Sequence, residues 1–195
     1  PNEDGHHSDT RVTLKLLNHF GIKNRLVSFH EHSSRAEAER IIGRILSGEN
    51  CGAVTDAGMP CISAPGEVLV RLCHEKGIPV RVVPGASAAV SAAALSGLHI
   101  RRLTFEGLLP VARKERKERL EALKGETAVM IFYEAPHKLR TTLSDLSDTF
   151  GGERECVICR ELTKIHEQTL CMTLSQACGH YEVTEPRCEF VIAVK

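Results

Sequence analysis

Along the chain, stretches in which apolar residues recur every three or four positions alternate with short, nearly continuous apolar runs. Ser8 or Asp9 as N-cap opens a helix that carries Val12, Leu16 and Leu17 on one face and stops before Gly21. A short strand, RLVSF, follows. Ser34 and Glu37 have capping-box spacing, and Ala38, Ile41, Ile42, Ile45 and Leu46 form a helical stripe ending at Gly48. CGAVT reads as a buried strand. Beyond a ten-residue connection, Pro65 takes the first position of a helix that carries Val68, Leu69 and Leu72 to Gly77. PVRVV is a further strand running into PGAS. This strand, loop, helix, strand order predicts a parallel α/β sheet with right-handed crossovers. The loops Asp56 to Pro65 and Pro84 to Ser87 both follow strand ends, which sets them side by side over one sheet edge, where such sheets bind ligands.

After Leu98 the pattern restarts. A strand at Leu103 to Gly107, a charged helix from Ala112 to Leu123 and the apolar strand TAVMIFY come first. Helix Pro136 to Phe150, strand ECVICRE, strand TLCMTL, a short helix near Ser175 to Tyr181 and strand EFVIAV complete the chain. A glycine and a basic turn place a domain boundary at Leu98 to Leu103, giving domains 1–102 and 103–195. Two small α/β units meeting at a cleft are an ordinary place for a small ligand.

Composition narrows the classes. With 42% hydrophobic and 26% charged residues among 195, the chain is neither disordered nor fibrous. Its 25 basic residues balance 25 acidic ones, so no overall field marks a nucleic-acid binder, and only a local patch would serve. The most apolar stretch, Ala86 to Leu98, is too short for a membrane span of ~20 residues. PNEDGHHSDT has no apolar core and no initial Met, so it reads neither as a signal peptide nor as a natural start. The eight cysteines are scattered through apolar surroundings and read as reduced cytosolic thiols, placing the protein in the cytoplasm. Cys156 and Cys159 form a C-x-x-C inside a strand pattern, where residues three apart face opposite ways and cannot share a metal. No second Cys or His pair stands at zinc-finger spacing, so no metal is implied.

The usual fingerprints are missing. There is no G-x-G-x-x-G, no P-loop and no G-x-S-x-G, which disfavours nicotinamide enzymes, P-loop NTPases and serine hydrolases. Two loops remain. TDAGMPCISAPG, Thr55 to Gly66, is compacted by glycine and proline and exposes backbone groups around Asp56. By itself it is better explained as a plain connection. VVPGASAAV opens a helix with small residues, which allows a ligand close to backbone N–H groups or else tight helix packing.

SDTRVTLKLLNHFGI, VTDAGMPCISAPG, PGASAAV, FEGLLP, IFYEAPHKL and RELTKIHE together resemble the ribosomal RNA small-subunit methyltransferase I family, a branch of the tetrapyrrole-methylase-like superfamily. The six motifs are collinear and cover nearly the whole chain. The resemblance implies two small α/β domains, a parallel sheet in the first and a mixed one in the second, with S-adenosylmethionine in the cleft between them. It implies 2′-O-methylation of a cytidine in the decoding region of 16S ribosomal RNA, with the small ribosomal subunit as partner, and a homodimer. By that likeness Asp56, Ala57, Gly58, Met59 and Ile62 line one side of the cofactor and Pro84, Gly85, Ala86 and Ser87 another, with Phe132, Tyr133 and Leu162 closing from the second domain. Family members open with a first strand and a P-T-P-I-G-N-type loop, so that strand is expected to be missing here. Ser63-Ala64-Pro65-Gly66 stands for S-D-P-G, Met59 for a common Thr, and Cys188-Glu189 for a Gly-Glu pair.

Methyl transfer to a ribose hydroxyl depends on alignment and is helped by a base. Glu134, His137 and Lys138 in YEAPHK, and Arg160, Glu161 and Lys164 in RELTK, are the candidates. Lys164 or His137 would accept or stabilise the proton, Glu134 or Glu161 would orient that group, and Arg160 would hold a phosphate. The plain alternatives are that Glu134 caps the next helix and that Glu161 and Lys164 are a surface pair. In RKERKER, Arg113, Lys114, Arg116 and Lys117 are candidate RNA contacts on what is otherwise a solvated helix face. Two other readings stay open: a relative that methylates a tetrapyrrole carbon, and a truncated, non-catalytic copy that binds RNA or a partner.

Overall fold

A computed structural model describes residues 10–30, 33–55, 58–62 and 66–195. The chain divides into two compact units, 1–86 and 87–195.

The second unit is built on a five-stranded sheet. Its strands are β1 (Leu103–Leu108), β2 (Val129–Glu134), β3 (Glu155–Arg160), β4 (Gln168–Thr173) and β5 (Phe190–Val194), in the spatial order β1-β2-β5-β3-β4. β1 and β2 are parallel, and every other pairing is antiparallel. The three inner strands read as unbroken apolar runs because both faces are covered. Along them alternate residues go to different cores. Met130, Phe132, Cys156, Ile158, Phe190 and Ile192 face one cluster, which includes Leu120 of α5 (Arg113–Ala122), Leu143 of α6 (Leu139–Phe150) and Leu174 of α7 (Leu174–Val183). Val129, Ile131, Val157, Cys159, Val191 and Ala193 face the other, with Ala89, Ala92 and Ala93 of α4 (Ala88–Leu95). The two cysteines of the C-x-x-C therefore lie in opposite cores, as the strand period requires. Each strand and helix expected after Leu98 is present within a few residues of its sequence bounds. The division falls before α4, because its alanines pack on the sheet of the second unit, and not at Leu98 to Leu103.

In the first unit, α1 (Thr10–His19), α2 (Arg35–Leu46) and α3 (Glu67–Glu75) form as the periodicity predicts. Ser34 accepts from the Glu37 amide while Glu37 accepts from the Ser34 amide, so the expected capping box is real. Ala38 and Ile42 of α2 bury against Leu72 and Cys73 of α3. The parallel sheet expected here is not formed: RLVSF, CGAVT and PVRVV carry no strand pairing among the described residues. Val54, Val82 and Val83 are 58%, 67% and 89% exposed. The physical reason is that a helix closes its hydrogen bonds on itself, while a strand exists only with a neighbour to receive its ladder.

Candidate functional site

In the second unit, the topology gathers the sequence motifs at one edge of the sheet. β2 and β3 both run antiparallel to β5, so they run parallel to each other and end on the same side. Their last residues, Glu134 and Arg160, sit in register with the same residue, Phe190, one on each side of β5. Two strand spacings separate them, about 10 Å. Parallel β1 brings Leu108 beside Tyr133. FEGLLP, YEAPHK and RELTK thus leave the sheet at the carboxyl edge, where α/β sheets hold ligands.

The six candidate catalytic groups do not share one environment. Glu134 is 4% exposed, with one carboxylate oxygen accepting from the Ala135 amide at 2.8 Å and the other from the Thr142 hydroxyl at 2.6 Å. Its carboxylate is consumed in fastening β2 to α6 through Thr142, and it does not cap α6, whose N-terminus has no side-chain cap bond. His137 is exposed, and Lys138 is half-buried as the N-cap residue of α6. Arg160 donates through Nε to the Gln168 side chain at 2.8 Å. Glu161, its side chain only 14% exposed, accepts from the Lys164 ammonium at 2.8 Å. The Lys164 ammonium above all, then the Cys188 thiol and the Arg160 charge, holds the Glu161 carboxyl below its ordinary range, and Glu161 in turn holds the Lys164 ammonium above its own.

Backbone conformation at this edge is unusual. Glu161, Thr163 and Cys188 have φ of 51°, 67° and 66°, a left-handed region that costs a non-glycine residue about 1 kcal/mol or more. The 161–167 loop is held by its own bonds: Lys164 N–H to Glu161 O at 2.9 Å, Glu167 N–H to Lys164 O at 3.1 Å, and Thr163 N–H to the Glu167 carboxylate at 2.5 Å. Cys188 stands where the resembled family has glycine, and its φ gives the reason for that preference. The sequence flagged Cys188 only as a departure; its adjacency to Glu161 had no local signal.

Among the expected cofactor residues of this unit, Phe132 has no exposed surface and belongs to the α5–α6–α7 core, so its contribution is packing. Tyr133, its neighbour, faces the other way, with Phe105 edge-on at 5.0 Å. Its hydroxyl oxygen accepts from the Ala89 amide in the first turn of α4 at 3.1 Å. Leu162 packs against the same cluster. Ser87 is the N-cap residue of α4, and its side chain makes no capping bond.

In the first unit, Asp56 and Ala57 lie outside the described residues. Gly58 takes φ 71° and Cys61 φ 65°. Gly66 takes φ 133°, and a Cβ there would stand 2.6 Å from the Cys61 sulfur, so glycine is required. Ile62 is 58% exposed. The two predicted loops do meet: a Cβ on Gly85 would lie 3.5 Å from the Met59 sulfur. Pro84, Gly85 and Ala86 expose their backbone. The exposed Pro84 to Ala86 turn, with Gly85 beside the Met59 thioether, leaves main-chain groups within reach of a small ligand such as S-adenosylmethionine.

The basic run separates into two faces. Arg116 pairs with Asp145 of α6 at 2.7 Å with its side chain 12% exposed, and Arg119 pairs with Glu106 at 2.5 Å. Arg116 is therefore a tie between helices and is removed from the expected phosphate contacts. Arg113, Lys114 and Lys117 face solvent, with Lys114 3.9 Å from Glu118. Among the described residues no three His, Cys, Asp or Glu side chains are grouped to hold a metal, and no helix is long and apolar enough to cross a membrane.

Residues 6–178 match the family model of tetrapyrrole (corrin/porphyrin) methylases. The chain is 46% identical over 189 residues to the ribosomal RNA small subunit methyltransferase I of Xylella fastidiosa (strain Temecula1), covering 96% of this chain and 69% of that one. Across four such relatives the chain spans 60% to 69% of their length. Two solved structures share the fold. The methyltransferase CobJ has a TM-score of 0.64 at 18% identity, over 95% of this chain and 85% of that one. A uroporphyrin-III C-methyltransferase of Thermus thermophilus, complexed with S-adenosylhomocysteine, has 0.53 at 15%, over 81% and 72%.

Proposed function

The chain belongs to the tetrapyrrole methylase family, in its ribosomal RNA small subunit methyltransferase I branch, and from that membership we propose that it methylates the 2′-hydroxyl of a cytidine in 16S ribosomal RNA, using S-adenosylmethionine. The observation that carries the reading is the 46% identity over nearly the whole chain to a relative named for that RNA. The likeness to tetrapyrrole enzymes is one of fold, at 15% to 18% identity. The protein acts on small ribosomal subunits in the cytoplasm, as a homodimer.

When bound, S-adenosylmethionine supplies an electrophilic methyl group. In the first unit the Gly58 to Ile62 loop and the Pro84 to Ala86 turn would offer it main-chain contacts, and in the second unit Ser87, Tyr133 and Leu162 are the residues that the family likeness assigns to it. At the sheet edge, Lys164 is kept protonated by Glu161, so it serves as a fixed positive charge for the hydroxyl oxygen and not as a base. Glu134 is already bonded twice. The proton of the 2′-hydroxyl then falls to an imidazole nitrogen of exposed His137. Arg160 orients a phosphate, and Arg113, Lys114 and Lys117 contribute phosphate contacts.

The test is a labelled-methyl assay on unmodified small subunits. Label on a cytidine 2′-oxygen is expected, lost in His137→Ala and reduced in Lys164→Met. Label entering a tetrapyrrole, or none entering RNA while the cofactor binds, overturns the reading.

A further inference from the structure

The first turn of a helix leaves backbone amides without intrahelical partners, and a serine at the N-cap normally serves one of them. At α4 this does not happen. Ser87 has extended N-cap geometry, φ −126° and ψ 118°, yet its side chain makes no capping bond. The amide that an N-cap side chain would take, that of Ala89, donates instead to the Tyr133 hydroxyl at 3.1 Å, from a strand 44 residues further along the chain.

Tyr133 is itself fixed. Its ring lies at the end of β2, in register with Val191 of β5 and Leu108 of β1. Phe105 meets it edge-on at 5.0 Å with an interplanar angle of 72°, an arrangement that holds the ring in one orientation. Ala89, Ala92 and Ala93 pack α4 on the same face. The phenol oxygen is a rigid acceptor that sets where α4 begins, at Ser87. Because the phenol does the capping, the Ser87 hydroxyl is spared for a ligand.

We propose that Tyr133 is a positioning residue for S-adenosylmethionine, capping α4 from outside so that the first turn of α4 is preorganised and the Ser87 hydroxyl is left available. The inference rests on the functional reading above. Without the phenol oxygen, the Ala89 amide has no partner in the ordered turn, the turn frays in the free protein, and reordering it is charged against binding.

Tyr133→Phe keeps the ring and its contact with Phe105 and removes only the acceptor. Calorimetry with S-adenosylhomocysteine should show about fivefold weaker binding, the fold-change of one net hydrogen bond. Affinity for small-subunit RNA should stay within twofold, and amide exchange at Ala89 should accelerate while that of β2 and β5 does not. A KM for S-adenosylmethionine that rises at constant kcat would agree. Tyr133→Phe binding S-adenosylhomocysteine as tightly as wild type, unchanged exchange at Ala89, or equal weakening toward RNA each overturns the proposal while leaving the functional reading intact. Wild-type protein that binds no S-adenosylhomocysteine overturns both. Tyr133→Leu is the second variant: if it loses the fold while Tyr133→Phe behaves as wild type, the ring alone matters and the positioning role is wrong.

Discussion

The two units of this chain use the same kinds of residue and end up differently. In 87–195 every apolar run found a neighbour, so Val129, Ile131 and Val191 are under 10% exposed. In 1–86 the valines of similar runs face solvent, and four buried side chains, Ala38, Ile42, Leu72 and Cys73, hold α2 to α3. The difference teaches that β-branched patterning is a demand for a partner and not a structure in itself. Helices differ because their demand is met locally, as the Ser34–Glu37 box shows.

The largest break in this contrast would come from core truncation. Phe132→Ala should cost about 3 to 5 kcal/mol, and Ile42→Ala about 2, the low end for such a change because its cluster is small. Denaturant unfolding followed by one probe in each unit should give two midpoints, each moved by its own variant. A single shared transition would break the comparison.

A second test contrasts buried thiols in the two units. Burial pushes Cys156 up to about 12 and Cys73 upward in direction. Under native conditions at pH 8, exposed Cys51, Cys171 and Cys188 should react first with a thiol reagent, Cys73 next through local opening of α2 and α3, and Cys156 last. Cys156 reacting ahead of Cys73 in peptide mapping would reverse the ranking of the units.

Arg116 and Lys117 sharpen the contrast within α5. Arg116→Ala should lower stability by about 1 kcal/mol through the lost Asp145 pair, with RNA affinity unchanged. Lys117→Ala should leave stability alone and reduce the salt slope of RNA binding by about one. Filter binding across a salt series reads both.

The smallest effect is a titration. The Glu161 carboxyl is lowered in the folded protein, so its pairing stabilises above the unfolded value and is lost as pH falls through the folded one. Lys164 is raised, so its share is complete below its unfolded value and lost as pH rises through the folded one. The pair is therefore intact across the neutral range. Carboxyl resonances should show Glu161 titrating below an ordinary glutamate, and Lys164→Met should move it upward; an unmoved midpoint would detach the two.

Much of this was legible in the sequence, and the particular failures have one cause. α2 announced itself through its capping box and helical stripe, α5 and α6 through the alternation with the apolar runs, and VMIFYE and FVIAV through continuous apolar runs buried on both faces. The adjacency of YEAPHK and RELTK was a matter of motif order until the register of β5 put Glu134 and Arg160 on either side of Phe190. Arg116 looked like its neighbours in RKERKER because only Asp145, 29 residues away, distinguishes it. Glu134 and Tyr133 were both marked as site residues, but their bonds to Thr142 and Ala89 depend on elements that approach from elsewhere in the chain. Chemistry carried by residue type was readable, and commitments made across the fold were not.

The place of β5 sets the order in which this protein can be made. It is the last of the five strands in sequence and the middle one in space, joining β2 on one side to β3 on the other. On a translating ribosome, the β1–β2 pair and the β3–β4 hairpin can form as soon as their residues emerge, but each keeps an open inner edge until Phe190–Val194 arrives to fill the gap. A nascent chain stopped short of that strand would carry two unfinished half-sheets with complementary edges. Closure is a single late event, dominated by contacts of long sequence separation, and it is the step on which synthesis rate and chaperone access bear most directly.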